Sequence, residues 1–196
     1  MIIRFKSCTI KISFFFALAI TVMSVADKTN SAFFCLLAAA LHESGHIFAL
    51  ICYKENPKEI IFTPFGIRIE RNSFNKLSFL KEAVVAFAGP FVNILLALIF
   101  HNTYFSKINV AIALLNLLPC DPLDGSKIVE NLLKIKMAEE KAEKISLIIS
   151  CITVFPVAVA GFILLLKSRY NFSLLFVSVY LIFFIAVKKK NIPSTH

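Results

Sequence analysis

His42, Glu43 and His46 stand in Leu41-His42-Glu43-Ser44-Gly45-His46, two imidazoles and a carboxylate at the spacing of one helical turn. At about 100° per residue the histidines are about 400° apart, so both leave a helix on nearly the same side and can hold one metal ion. Glu43 is rotated about 100° from His42 and can reach a water at that metal, where it would act as general base. The surrounding residues are Phe, Leu, Ala and Ile. A charged group at the centre of such a run costs about 2.5–3.5 kcal/mol on insertion scales, and a divalent cation compensates that cost. Gly45 between the ligands leaves room for another helix. The alternative is a pair of core histidines hydrogen-bonded to a neighbouring helix, with Glu43 protonated or ion-paired. That alternative must explain three polar groups at metal-site spacing one by one.

A catalytic zinc site usually has three protein ligands and one open position. Asp124 is the best third ligand, in Asn116-Leu117-Leu118-Pro119-Cys120-Asp121-Pro122-Leu123-Asp124-Gly125. Two prolines and a glycine break the helix there, and irregular backbone at membrane depth is tolerated only where it is buried in protein or lines a wet cavity. Asp124 could instead cap a helix that begins near Gly125 or Ser126. Asp121 ranks second as an oxygen ligand, since it suits a turn between Pro119 and Pro122.

The elements that must position these groups are apolar and long. Of the 196 residues 58% are hydrophobic and 17% charged, against about 45–50% and about 25% in ordinary soluble domains. Runs near the length of about 20 residues needed to cross a bilayer are Ile10 to Ala26, Ser31 to Tyr53, Ala83 to His101, Ile145 to Leu166 and Asn171 to Val187, with a shorter run from Ile108 to Leu118. The expectation is an all-α membrane protein of about six transmembrane helices, the fourth broken, forming a single domain over residues 1–196. With the N-terminus inside, only Lys28, Lys107, Lys167 and Arg169 of the 21 basic residues fall on outer flanks, which places both termini in the cytosol by the positive-inside rule. The basic start and Ser24-Val25-Ala26 also resemble a secretory signal peptide; the expectation is an uncleaved first helix.

The net charge of +9 does not point to nucleic acid, because the basic residues sit in short stretches between apolar runs rather than along one face. Cys8, Cys35, Cys52, Cys120 and Cys151 contain no CxxC pair, which argues against both a disulfide framework and a thiolate metal site. Ile60 to Glu70 reads as a short membrane-associated β-hairpin around Pro64-Phe65-Gly66. Ser126 to Lys144, with Ile128, Leu132 and Ile135 at helical spacing, reads as one amphipathic helix at the interface.

HESGH in one apolar helix followed by NLLPCDPLDG in a later broken one resembles the site-2 protease family of intramembrane metalloproteases, which carries HExxH and N-x-x-P-x-x-P-L-D-G. The resemblance covers both motifs and the span between them. It implies zinc bound by His42, His46 and Asp124, Glu43 as base, and Asn116 near the substrate or the oxyanion. Ala88-Gly89-Pro90-Phe91-Val92-Asn93 is similar to the AGP-x-x-N stretch of that family. Read on its residues alone, Gly89-Pro90 is a small-residue packing face with a proline kink. The short length and the Pro64-Phe65-Gly66 segment resemble the sporulation branch that processes a membrane-tethered sigma-factor precursor, here without a nucleotide-sensing CBS domain. Ser126-Lys127 follows the LDG where that family often has Gly-Arg.

The expected function is zinc-dependent hydrolysis of membrane-tethered proteins, a transcription or sigma factor precursor or its regulator, under the control of membrane partners. Two other classes fit the same residues. His42, Glu43, His46 and Asp124 could line the path of an ion or proton-coupled transporter or channel, although no two-half symmetry is present. A catalytically silent scaffold would keep the ligands without cleavage.

Overall fold

A computed structural model describes residues 2–4, 9–13, 21, 27, 31–55, 57–63, 66–71, 77–167 and 173–191. Among them are the helices α1 (Ser31–Cys52), α2 (Phe79–Ile99), α3 (Tyr104–Asn116), α4 (Asp124–Lys136), α5 (Glu139–Lys167) and α6 (Ser173–Asn191). Three stretches are long and apolar enough to cross a membrane, Ser31–Cys52, Phe79–Ile99 and Glu139–Ile163, while Val177–Lys188 is a shorter apolar helix.

On α1 the buried residues are Ala32, Ala38, His42, Gly45, His46, Ala49 and Leu50, most of them three or four apart as one helix face requires. The bulky residues lie outward: Phe48 is 69% exposed while Ala38 is 0% exposed. Helix α2 repeats the arrangement, with Gly89, Asn93 and Ala97 buried and Phe91, Leu95 and Leu98 exposed. Small residues inside let backbones approach, and a bulky apolar exterior suits lipid rather than water.

The chain packs as two units, Met1–Leu77 with Ala88–Ala113, and Ser78–Phe87 with Leu114–His196. In the first, Oδ2 of Asp27 accepts from the Ala32 N–H at 2.6 Å, which satisfies one of the donors a helix start leaves unpaired. Helix α1 ends at Cys52 and is followed by Lys54 in the left-handed region with φ 61, and the Glu55 N–H donates to the Leu50 carbonyl at 2.9 Å in the manner of a Schellman end. Tyr104 donates its hydroxyl to Ser31 Oγ at 3.0 Å, and the Phe34 and Phe105 rings lie 5.9 Å apart, so α3 is tied to α1.

Backbone pairing joins β1 (Ile2–Arg4), β2 (Thr9–Ile12), β3 (Pro57–Thr63) and β4 (Gly66–Arg71) in that order; β2 and β3 are parallel and the other pairs antiparallel. Register places Ile60 opposite Ile69 and Phe62 opposite Ile67; Pro64 and Phe65 lie outside the described residues. Lys11 and Glu59 form an ion pair across β2 and β3. The sequence predicts a spanning helix from Ile10 to Ala26, but Thr9–Ile12 pair as a strand instead. Alternating Thr-Ile-Lys-Ile suits a strand. Residues 14–20 and 22–26 lie outside the described residues.

The second unit is built on Cys120, Val154, Leu181 and Ile185, with Leu118, Leu123, Leu147, Val177 and Tyr180 packed around them. The single amphipathic helix predicted over Ser126 to Lys144 is two helices. Met137 is extended at φ −145 and ψ 167 and donates its N–H to Leu133, ending α4. Glu139 and Glu140 then open α5. Acidic residues favour the positive end of a helix, a start signal that apolar spacing does not carry. Lys134 bridges the break, 2.8 Å from Glu130 Oε1 and 2.9 Å from Glu143 Oε1.

Candidate metal centre

Both imidazoles project from α1 into the protein, His42 with 4% and His46 with 8% of its surface exposed. Their Nε2 atoms are 3.2 Å apart and their rings meet edge to face at 81°. Two ring nitrogens that close are arranged to share one ion or one proton.

Two glycines create the space. A Cβ on Gly45 would lie 2.6 Å from the Ala88 carbonyl oxygen and 2.9 Å from Val92 Cγ2. A Cβ on Gly89 would collide with His46 Nε2 and lie 2.7 Å from His42 Nε2. Gly89 packs as a small residue against the neighbouring helix, and the groups its missing side chain makes room for are the two imidazoles. Helix α2 continues through Pro90.

Asn93 Oδ1 lies 2.5 Å from His42 Nδ1, and Asn93 is wholly buried. Metal-ligating histidines usually donate their second ring N–H to such an oxygen, which fixes ring orientation and raises basicity. Asn93 entered the sequence reading only as the last letter of a motif. Its signal was available, since an amide in an apolar helix needs a buried partner.

Asp124 occupies the first turn of α4, where its carboxylate meets the positive end of the helix. The cap position belongs to Leu123, with no side-chain capping bond, so Asp124 is not the N-cap. The helix begins one residue earlier than Gly125. Asp124 is 5% exposed and its Oδ1 lies 3.1 Å from Lys127 Nζ. A Cβ on Gly125 would collide with the carbonyl oxygens of Leu117 and Leu118 and lie 2.5 Å from the Leu117 carbonyl carbon. The helix start is thus pressed against the broken segment, which only glycine permits. Ser126 is wholly buried with its Oγ 3.4 Å from Ser146 Oγ.

Asp121 is engaged elsewhere. Its Oδ2 lies 2.7 Å from Lys188 Nζ, and its N–H donates to Ser150 Oγ at 3.2 Å. Lys188 also reaches Glu130 Oε2 at 2.9 Å. Burial alone would push the Glu130 carboxyl up, but hydrogen bonds and charge from Lys134 and Lys188 hold it below its ordinary value.

His42 and His46 offer two buried ring nitrogens 3.2 Å apart in the first unit, and Asp124 offers a buried carboxylate in the second, a donor set of the kind that could hold a metal ion. Two neutral nitrogens and a carboxylate oxygen suit zinc and leave a coordination position open. The collision awaiting any Cβ at Gly89 is the independent sign that space at these nitrogens is kept clear. Glu43, half-buried, follows His42 on α1, and Asn116 closes α3.

Apolar helices, one carrying HExxH with both histidines buried and another preceded by a broken segment and opening on a buried carboxylate, make up a fold with known counterparts among membrane proteins. Within it the likeness is to the site-2 proteases. Residues 102–157 match the model of Peptidase family M50, a stretch holding Asn116 and Asp124 but not HESGH. The chain is 30% identical over 129 residues to Stage IV sporulation protein FB of Bacillus subtilis (strain 168), a match over 59% of this chain and 45% of that relative. It therefore spans about half the length of the curated relative it matches. In fold it is similar to Site-2 Protease from Methanocaldococcus jannaschii, with a TM-score of 0.64 and 20% identity, covering 100% of this chain and 98% of that one. Motifs, family model and fold agree on the resemblance.

Proposed function

We propose that this chain is an intramembrane zinc metalloprotease that hydrolyses peptide bonds of membrane-tethered proteins, in sporulating cells a transcription or sigma factor precursor or its regulator. The observation that carries the reading is the convergence of His42 Nε2 and His46 Nε2 at 3.2 Å inside an apolar helix whose next residue after His42 is Glu43. His42, His46 and Asp124 would hold the zinc. When bound there, zinc supplies Lewis acidity, acidifying water and polarising the scissile carbonyl. Glu43 takes the proton of the attacking water and returns it to the leaving amine. Asn116 donates its side-chain amide toward the substrate carbonyl.

A substrate helix hides its carbonyls, so the segment to be cut must be extended. Strand addition along Ile60 to Glu70, lying against the inner membrane surface, would supply main-chain hydrogen bonds in exchange for those lost on unwinding. Six crossings with both termini in the cytosol, the first segment uncleaved, complete the topology, and regulatory partners would act within the membrane.

Co-expression of the full chain with tethered precursors from the same cell tests the reading. Glu43→Gln is expected to abolish cleavage while the purified protein keeps its zinc. Cleavage that persists in Glu43→Gln, or ion flux through a chain that cleaves nothing, would overturn it.

A further inference from the structure

Behind His42 lies a chain of buried amides whose directions are all dictated from one end. Asn109 Nδ2 donates to the Phe105 carbonyl at 2.9 Å. A backbone carbonyl can only accept, so the Asn109 oxygen must face the other way, toward Asn93. Asn93 Nδ2 donates to that Oδ1 at 2.7 Å and to the Ala38 carbonyl at 3.2 Å. Both its hydrogens are thereby used, and Asn93 Oδ1 is left facing His42 Nδ1 at 2.5 Å. An amide oxygen can only accept, so the ring proton of neutral His42 sits on Nδ1 and Nε2 carries the lone pair. Asn93 and Asn109 are both wholly buried, so water does not offer an alternative set of partners.

We infer that Asn109 is a positioning residue: through Asn93 it sets the tautomer of His42 and so keeps Nε2 ready to bind a metal. The direction of control runs from the Phe105 carbonyl on α3, across α2, to the imidazole on α1. Asn93 acts directly on the ring, while Asn109 acts by making the reversed orientation of Asn93 impossible, since a flipped Asn93 would set its oxygen against Asn109 Oδ1 and the Ala38 carbonyl. The inference rests on the zinc reading only for its purpose, because the proton position is a property of the metal-free chain.

Nitrogen-15 spectra of histidine-labelled full chain in lipid, stripped of metal, read that position directly. The His42 signals are identified by their loss in His42→Ala. Wild-type protein is expected to show Nδ1 protonated and Nε2 bare. Asn109→Leu, close in volume but without an acceptor, is expected to give a mixture of both tautomers and to weaken zinc binding by about tenfold, the lower end of the 10–100-fold that outer-shell changes cost. Asn109→Asp keeps the acceptor, and its protonated carboxyl can still donate to Phe105, so it should restore both readouts. Unchanged spectra and unchanged zinc competition with a chelator in Asn109→Leu would overturn the inference, as would wild-type His42 protonated on Nε2. If Asn109→Leu does not fold, the wild-type spectrum and Asn93→Asp, which still presents an acceptor to Nδ1, decide the matter. A chain that shows Nδ1 protonated yet binds no zinc supports this inference and overturns the zinc reading; zinc binding with Nε2 protonated in the metal-free form does the reverse.

Discussion

Gly89 on α2 faces the His46 ring on α1 so closely that a single added methyl group would collide with its Nε2. The absence of a side chain at one residue thus holds open the space at another residue's ring nitrogen. Gly89→Ala should therefore cost zinc before it costs the fold: overpacking of this kind destabilises by about 1–3 kcal/mol, while the ring nitrogens can no longer converge. Metal analysis of the purified variant should fall to background with helical content retained. Full zinc occupancy in Gly89→Ala would show that the rings have another place to go.

The two aspartates of the broken segment should separate cleanly. Asp124→Asn is expected to lose zinc and cleavage together. Asp121→Asn should keep zinc, because Asp121 is paired with Lys188, and lower the melting temperature instead through a weakened ion pair. Equal zinc losses in the two variants would place Asp121 among the ligands.

Gly125→Ala tests the fit of the helix start against the Leu117 and Leu118 carbonyls. Neither carbonyl is the far end of a flexible side chain, so the backbone itself must move. A loss of about 1–3 kcal/mol or more is expected, read as a lower melting temperature and reduced yield. A variant as stable as wild type would show that the segment between α3 and α4 is loosely held.

The ion pairs joining α4, α5 and α6 give a pH dependence with a definite sign. Glu130 is held below its ordinary 4.5. Its stabilisation is present above that value and lost as pH falls through the lowered one. Lys134 is raised: burial alone would lower it, but its bonds to Glu130 and Glu143 outweigh that, so its contribution is present below 10.5 and lost as pH rises through the raised value. The melting-temperature gap between wild type and Glu130→Gln should be constant from neutral pH to about 5 and close as pH falls through the lowered value of Glu130. A gap that closes near neutrality would assign the effect to another group.

Much of the centre could be read from spacing alone. HESGH is local: His42 and His46 share a helix face because helical geometry repeats every turn, whatever surrounds it. The apolar runs around Ser31–Cys52 and Phe79–Ile99 likewise depend only on the chemistry of consecutive side chains. Helix ends were harder. Asp124 was read as ligand or cap because a carboxylate satisfies both roles, and the break at Met137 was invisible because apolar periodicity persists on either side of it.

What the amino-acid order determined by itself was the pairing of His42 and His46 on one helix face and the oily setting around them, since these follow from residue type and short-range periodicity. What only the tertiary structure decided was which distant residues serve them: Gly89 as the space beside the rings, Asn93 and Asn109 as the amides behind His42, Lys188 as the partner that occupies Asp121. Residues far apart in sequence meet because helices pack on small side chains, and the direction of a hydrogen bond exists only once both partners are in place.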